Sequence, residues 1–441
     1  MAFLDQLGPG PGASFVSRRS RMQHDLRARP AAEAAPGHTT RDRHAETAGL
    51  FCLGTGLFFG WSALFYIFGA LLLTWEAQTG LSKAQLALGL TAATLASALA
   101  APLAGRVIDR GAGSQLLGVG ALIGAAGLGG LSLTTGHAGF MIAWIVIGIA
   151  QGTCLFEPSF SFLARVMQHR ARRSIALVGL IAGCATIPAY SGAALLTELY
   201  GWRSAVGGFA LLTACVTAPL MYAGARLLEP GRPPSRTRPQ TAGDHDALAR
   251  VRRRPAFWGL LGAFAALAFA EGLVLSHAVA AMVEFGQSQA IALIAMALLG
   301  PCMTTARAGL LYPRSIRSSL PLTILAALAM VIGTALLPAA GDSAFALLAV
   351  AAFGLGYGLV VVLKPILVAE CLGFEAIGAV LAAVAQPCFV ALALAPYAGA
   401  LLWEHGGYAL AIPVAAGVAG CGALTLLVMA IAPRTRAPSW S

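Results

Sequence analysis

Two charged residues, each followed by proline, stand inside apolar stretches of the chain. Glu157 precedes Pro158, and Lys364 precedes Pro365. A charge at the centre of a membrane helix costs roughly 2.5–3.5 kcal/mol or more, so each needs compensation. We expect the two to approach across a cavity or share a solute, with Lys364 binding an anionic group and Glu157 exchanging a proton. The alternative is a structural ion pair that latches the cytoplasmic side.

Further polar residues interrupt other apolar stretches. Glu271 lies about 15 residues into one of them, where a low-dielectric setting favours the neutral carboxyl and suits a proton carrier. The alternative for Glu271 is a structural role, as a protonated side chain hydrogen-bonded to a neighbouring helix. His277 suits anion binding or proton exchange near neutral pH, with a packing role as its alternative. Gln386 and Tyr66 offer hydrogen bonds to a solute.

The elements that carry these residues are predicted from composition. Of 441 residues, 58% are hydrophobic and only 11% charged, whereas soluble domains carry roughly 25% charged residues. The outside of the fold must therefore be apolar, as in a bilayer protein. Stretches of about 20 residues or more span the ~30 Å core as helices. The sequence predicts twelve: 49–73, 83–105, 114–134, 139–165, 172–197, 203–226, 256–283, 287–309, 319–338, 344–367, 374–402 and 409–432.

Basic residues predict the orientation and the domains. All but three of the 29 Lys and Arg residues lie in the terminal tails or near the ends of even-numbered stretches. The positive-inside rule therefore predicts that both termini are cytoplasmic. We expect the membrane to be a bacterial-type inner membrane. We predict five regions: a disordered cytoplasmic tail (1–47), a six-helix bundle (48–226), a cytoplasmic linker (227–255), a second six-helix bundle (256–433) and a short cytoplasmic tail (434–441).

Several functions are excluded by the same composition. The net charge of +11 is spread over short loops, unlike the continuous basic surface of a nucleic-acid-binding protein. The eight Cys residues form no CxxC pair, so we predict small buried side chains and no metal site. The glycine-rich segment 118–130 lacks the Lys and Ser/Thr of a phosphate-binding loop. We expect no cofactor and no enzyme activity.

The two halves of the chain repeat. Gly148 recurs as Gly354, 206 residues later, and the glycine four residues after each also recurs. The Glu157-Pro pair recurs as the Lys364-Pro pair at an offset of 207. A shared offset across several motifs indicates internal duplication. Parallel repeats around an axis normal to the membrane are one transporter plan.

Four segments of the chain resemble a known family. They are GRVIDRGAGSQLL (105–117), GTCLFEPSFSFLARV (152–166), YGWR (200–203) and LLGPCMTTARAG (298–309). The first resembles the signature loop of the major facilitator superfamily. The others are similar to its bacterial monocarboxylate-porter-like members. The resemblance covers about 49–432.

The resemblance implies an all-α membrane fold of two six-helix bundles related by a pseudo-two-fold axis. A central cavity would open alternately to each side. Gly105, Asp109 and Arg110 would form a gate loop whose charges pair with neighbouring helix ends. The chain departs from the family at Ser114, where a basic residue is usual. Gly183 is followed by CATIP rather than by the Pro of drug–proton antiporters.

The expected function is secondary active transport of a small solute through the lipid bilayer. Proton-coupled carriage of a small organic anion is favoured because of Lys364. The alternatives are an efflux carrier for a drug or a metalloid, for which Cys154 lies one turn from Glu157, and a non-transporting sensor on a transporter fold. A membrane-embedded enzyme would need clustered His or carboxylate side chains, which the sequence does not offer.

Overall fold

The computed structural model describes residues 40–229, 248–310, 319–373 and 377–431. All regular structure in these ranges is helical. The chain divides into one unit up to Thr47 and a second, compact unit from Ala48 onward. Most of the predicted N-terminal tail, the middle of the predicted linker and the C-terminal tail lie outside the described residues.

The described helices follow one another with short connections. In chain order they are α1 (Thr40–Trp61, a π-helical turn Ser62–Tyr66, then Ile67–Thr79), α2 (Lys83–Asp109), α3 (Gly113–Leu133), α4 (His137–Cys154 and Phe156–Met167), α5 (Ala171–Ala182, a π-helical turn Pro188–Gly192 and 193–200), α6 (202–212, a π-helical turn Thr213–Thr217 and Ala218–Leu228), α7 (Pro255–Glu284), α8 (Gln289–Gly309), α9 (Ser319–Leu336), α10 (Ser343–Leu372), α11 (377–405) and α12 (408–431).

Twelve apolar helices are confirmed within the described ranges. Ten helical runs are long and apolar enough to cross a bilayer, and a glycine with positive φ divides each of two of them into two helices. Gly201 (φ 78°) separates α5 from α6, and Gly407 (φ 66°) separates α11 from α12. Positive φ favours glycine because it lacks a Cβ atom.

Most helix ends lie within a few residues of their predicted positions, but α1 is longer than expected. It runs from Thr40 to Thr79 instead of 49–73, so residues 40–47 of the predicted tail are helical. Hydropathy marks only the apolar part of a helix. Polar turns at either end continue the same hydrogen-bond ladder without adding to the apolar signal.

Equivalent glycines allow the same close helix packing within each half of the chain. A Cβ atom on Gly148 would collide with the backbone of Ala93 in α2. A Cβ atom on Gly354 would press on the Leu299 carbonyl of α8. Leu299 follows Ala93 by 206 residues, the same offset as the glycines. The repeat read from the sequence therefore corresponds to equivalent close helix contacts, which small residues permit in membranes.

The packing of whole helices repeats as well. Helix α4 packs on α2 and α3 in the first half, and α10 packs on α8 and α9 in the second. This is the expected architecture of two six-helix bundles. Between the bundles, α2 contacts α11, α1 contacts α7, and α5 contacts α8. In the described ranges, α4 and α10 do not pack extensively against each other.

The two ends of the bundles differ in how they are closed. We call the end with the loops after even-numbered helices the termini face, and the other end the opposite face. At the opposite face, the Lys83 ammonium lies 2.6 Å from the Glu76 carboxylate and 3.6 Å from the centre of the Trp403 ring. The Trp403 indole N–H donates to Glu284 at 2.6 Å. We call these four residues the opposite-face latch.

The latch joins the bundles because Lys83 begins α2 whereas Trp403 ends α11. A cation over an indole ring is attracted by the ring electrons, most strongly where water is excluded. Lys83 is only 6% exposed. Nearby, the Tyr190 hydroxyl donates to the Leu275 carbonyl at 3.4 Å, linking α5 to α7. The opposite face is therefore closed.

We expect Gly148→Ala to lower the melting temperature of the detergent-purified protein. The new methyl group collides with the backbone of Ala93, and overpacking of this kind costs about 1–3 kcal/mol. Gly130→Ala is the matched control, because no atom lies within 4 Å of its added Cβ and alanine favours a helix over glycine. Equal melting temperatures for the two variants would contradict this packing.

We expect Lys83→Met to destabilise the protein by roughly 1–3 kcal/mol, because it leaves the Glu76 carboxylate without its partner. The loss is smaller than for a fully buried pair since the Glu76 side chain is 28% exposed. The double variant Glu76→Gln, Lys83→Met should recover part of the loss. Thermal unfolding measures the stability of wild type and of both variants. A double variant less stable than Lys83→Met would refute the pairing.

Candidate functional site

The π-helical turn in α1 positions Tyr66. Such a turn leaves backbone carbonyls outside the regular helical ladder and is frequent at functional sites. Gln151 of α4 donates its side-chain amide to the Leu64 carbonyl at 2.6 Å, and the Ser62 hydroxyl donates to the Ala185 carbonyl of α5. These bonds fix the turn from both sides. Tyr66, at its end, is 5% exposed.

A break in α4 positions Glu157. Leu155 has non-helical dihedral angles (φ −81°, ψ −147°), and the helix restarts at Phe156. Pro158 has no N–H to donate back along the helix, and the Ser159 hydroxyl instead donates to the Cys154 carbonyl at 2.9 Å. The regular helix is therefore interrupted just before the Glu157-Pro158 pair.

The Glu157 side chain has many protein atoms around it and is nevertheless exposed. A residue on the wall of an open cavity has both properties, many neighbouring protein atoms and an exposed side chain. Lys364 lies in α10, which runs through Pro365 without a break, and it is half-buried. Glu157 interacts electrostatically with Lys364. Within the described residues, no ion pair of 4.0 Å or less joins them, so this interaction acts at longer range.

Glu271 lies at the centre of a group of polar side chains. It is half-buried in α7 and interacts with the Tyr357 hydroxyl and with the charges of Lys364 and Arg307. Tyr357 also interacts with the Tyr66 hydroxyl. We call Tyr66, Glu271, Arg307, Tyr357 and Lys364 the central polar cluster. It draws on α1 of the first bundle and on α7, α8 and α10 of the second.

Arg307 lies inside a helix, although the sequence pattern groups it with the basic residues at the end of the eighth stretch. It belongs to α8. Its Nε donates to the Gly358 carbonyl at 3.3 Å, and its Nη1 donates to the Gly179 carbonyl of α5 at 3.4 Å. Its Nη2 is buried without a hydrogen-bond partner. A buried unpaired donor is costly, so this guanidinium is suited to a ligand.

Tyr357 is a second member of the cluster that the sequence prediction does not include, although the chain carries a signal for it. It is a polar aromatic residue in the middle of a 30-residue apolar helix, next to Gly358 of the repeat. A hydroxyl in such a place needs a hydrogen-bond partner, because water does not reach the bilayer core. The Tyr357 hydroxyl interacts with the Glu271 carboxyl.

His277 lies in the second bundle, away from the central polar cluster. It is fully buried, with Nδ1 2.9 Å from the Tyr408 hydroxyl and Nε2 2.8 Å from the Pro396 carbonyl. A carbonyl only accepts, so Nε2 carries the proton and Nδ1 accepts from Tyr408. Both ring nitrogens are occupied, which favours the packing alternative. Gln386 is exposed on α11.

The predicted gate loop lies at the termini face. Gly105 and Asp109 belong to the last turns of α2, and Arg110 follows directly. Asp109 and Arg110 are exposed. Among the described residues, neither side chain makes an ion pair. Their predicted pairing with neighbouring helix ends is therefore not made in this conformation, in which the termini face lacks extensive α4–α10 packing.

The fold and these sites have a family counterpart. The profile of the Major Facilitator Superfamily matches residues 50–388, more than three quarters of the chain. The chain belongs to this superfamily of membrane transporters. It is a multi-pass secondary transporter of small solutes and not an enzyme. No curated protein sequence matches it.

Solved transporter structures share the fold at low sequence identity. A mutant of the nucleoside transporter NupG is 14% identical over 87% of this chain and 99% of its own, with a TM-score of 0.66. The human organic anion transporter MFSD10 (TETRAN) is 17% identical over 88% of this chain and 100% of its own, with a TM-score of 0.61. A bacterial homologue of the human lysosomal transporter Spinster, in an inward-facing and unoccupied conformation, is 16% identical over 88% of this chain and 95% of its own, with a TM-score of 0.59.

We expect His277→Leu to lower the stability of the protein by roughly 2–4 kcal/mol, because it leaves the Tyr408 hydroxyl and the Pro396 carbonyl unpaired. Tyr408→Phe should cost less, since only one ring nitrogen then loses its partner. Thermal unfolding in detergent measures both losses. A His277→Leu protein as stable as wild type would show that these bonds do not hold α7, α11 and α12 together.

Proposed function

We propose that the protein carries a small organic anion together with a proton, and that the central polar cluster binds both. The observation that carries the proposal is the setting of Glu271. One half-buried carboxyl interacts with two cations, Lys364 and Arg307, and with the Tyr357 hydroxyl. Cations and ionisable carboxyls inside membrane helices mark solute and proton pathways.

Charge balance links the anion to the proton. While Glu271 is ionised, its negative charge partly neutralises Lys364 and Arg307. When it takes up a proton, the two cations have no counter-charge within the central polar cluster. In a low-dielectric interior this imbalance is energetically strong. An anion entering the cluster restores the balance, so anion and proton bind together and leave together.

Access to the cluster comes from the termini face. The opposite face is closed by its latch, whereas α4 and α10 do not pack extensively against each other. Glu157, on α4, is exposed beside this opening and interacts with Lys364 across it. The positive-inside rule puts the termini face in the cytoplasm. The conformation is then inward-facing, as in the Spinster homologue, and the protein lies in a bacterial-type inner membrane.

Glu157 has a second part in the cycle. When the bundles rock, α4 and α10 approach, and the Glu157–Lys364 interaction shortens into an ion pair that closes the termini face. Lys364 then leaves the solute for Glu157 or holds both. This combines the two roles that the sequence predicts for the pair.

The alternatives have less support. Metalloid efflux would use several thiols or carboxylates, and among the described residues no three His, Cys, Asp or Glu side chains converge. A nucleoside, as named for NupG, would not need the two cations of the cluster. A monocarboxylate-porter-like carrier and the organic anion transporter MFSD10 agree with the proposed anion class. A sensor would bind the anion without moving it.

The test is uptake of labelled acetate, lactate, succinate and benzoate into proteoliposomes with an imposed pH gradient. Wild type should accumulate at least one of them. Glu271→Gln imitates the protonated carboxyl. Its gradient-driven accumulation of solute should therefore be lower than that of wild type by about tenfold or more, whereas its solute exchange should persist. Lys364→Ala should lose both, because the anion loses a cation. Glu198→Gln is the control, since Glu198 is exposed on α5 outside the cluster.

Each alternative has its own signature in this assay. Gradient-driven accumulation that persists in Glu271→Gln would overturn the proton role. Movement of neutral or cationic compounds without any anion would favour efflux. Anions that raise the melting temperature of wild type without any flux would favour a sensor.

A further inference from the structure

A row of aromatic residues, which we call the aromatic wall, lies beside the central polar cluster. It consists of Trp61, Phe65 and Tyr66 of α1 and Phe156 and Phe160 of α4. The Trp61 ring centre lies 4.6 Å from that of Phe156 and 5.9 Å from that of Tyr66. Phe156 stacks on Phe160 at 4.9 Å. The wall therefore continues from α1 onto α4.

The exposure of the wall distinguishes it from the aromatic core. The same two helices carry a second cluster, Phe68, Trp75, Phe140 and Trp144, whose members are at most 1% exposed. In the wall, Trp61, Phe65, Phe156 and Phe160 are all only half-buried. The rings of the second cluster are covered on all sides, as expected of rings that serve packing alone. The wall leaves ring surface available.

The wall ends at Arg307. A Cβ atom on Gly179 would lie 3.7 Å from the tip of the Phe160 ring, and the Gly179 carbonyl accepts the Arg307 Nη1. A guanidinium thus stands at one end of a row of aromatic rings in contact with one another. Glu157 directly follows Phe156 on α4 and interacts electrostatically with Lys364.

Two buried donors without partners lie along this arrangement. One is the Trp61 indole N–H, and the other is the Arg307 Nη2. Both residues neighbour Tyr66, the first by ring contact and the second by charge. Unpaired buried donors are costly, and an acceptor atom of a ligand would satisfy each. The indole N–H groups of Trp75 and Trp144 in the second cluster are buried without partners too, so Trp61 differs from them by its exposed ring surface and its contact with Tyr66.

We propose that the solute is an aromatic carboxylate. Its carboxylate lies at Arg307 and Lys364, its ring lies against Trp61 and Phe156, and the Trp61 N–H donates to one of its oxygens. Offset and edge-to-face ring contacts at about 4.5–7 Å stabilise such a ring beyond its apolar area. This assignment rests on the proposed anion transport and narrows it to one class.

The test uses three carboxylates of equal charge: acetate, cyclohexanecarboxylate and benzoate. Their affinities for the detergent-purified protein are measured by calorimetry. Wild type should bind benzoate about three- to tenfold more tightly than cyclohexanecarboxylate, and acetate more weakly still. Trp61→Leu and Phe156→Leu should each remove the preference for benzoate over cyclohexanecarboxylate, and Trp61→Leu should also weaken binding of all three carboxylates because the indole N–H is lost.

Trp258→Leu is the matched control, because Trp258 is 60% exposed on α7 and should keep the preference. Equal binding of benzoate and cyclohexanecarboxylate by wild type would overturn the inference and leave anion transport standing. So would a preference that survives in both wall variants. Failure of wild type to bind any of the three carboxylates would overturn the anion proposal as well.

Discussion

A charge or an unpaired hydrogen-bonding group inside a bilayer must find its partner within the protein, because the lipid offers none. This constraint accounts for where the charged side chains of the helices lie. Lys83 and Glu76 meet at one end of the interface between the bundles. Arg307 reaches from α8 to a carbonyl of α5. Glu271 and Lys364 interact beside the same interface. The lipid-facing sides can then remain apolar, and the polar groups collect where the two bundles move against each other.

The internal repeat provides equivalent positions, which the two bundles use differently. Gln151 and Tyr357 are related by the 206-residue offset, and so are Phe65 and Glu271. In the first bundle, Gln151 binds the backbone of the π turn next to Phe65. In the second, the Tyr357 hydroxyl interacts with the Glu271 carboxyl. One position thus stabilises a helix irregularity, and its counterpart places a hydroxyl on an ionisable carboxyl. Duplication supplied the scaffold, and a few substitutions at matching positions made the site asymmetric.

The sequence predicts the scaffold well because each helix carries its own apolar signal and its own glycines. Gly148 and Gly354 are recognisable before any contact is known, and both then make the same backbone contact. Glu157, Glu271 and Lys364 are recognisable because a charge in an apolar stretch is conspicuous. Arg307 escapes prediction because a cation near a helix end looks like a loop residue, and only the fold shows that it turns inward. His277 needs two partners from α11 and α12, which no local pattern contains.

The opposite-face latch makes the two directions of transport unequal. Opening that face separates Lys83 from Trp403, so the empty carrier rests mainly in the orientation that is open at the termini face. Every ~1.4 kcal/mol of that preference reduces the fraction of carriers open at the other side about tenfold, and apparent affinity for a solute arriving there falls by the same fraction. In the proposed transport cycle, the solute concentration at half-saturation would therefore differ between the two sides, even though the binding residues are the same. That difference would arise from the contact of Lys83 with Trp403, outside the central polar cluster.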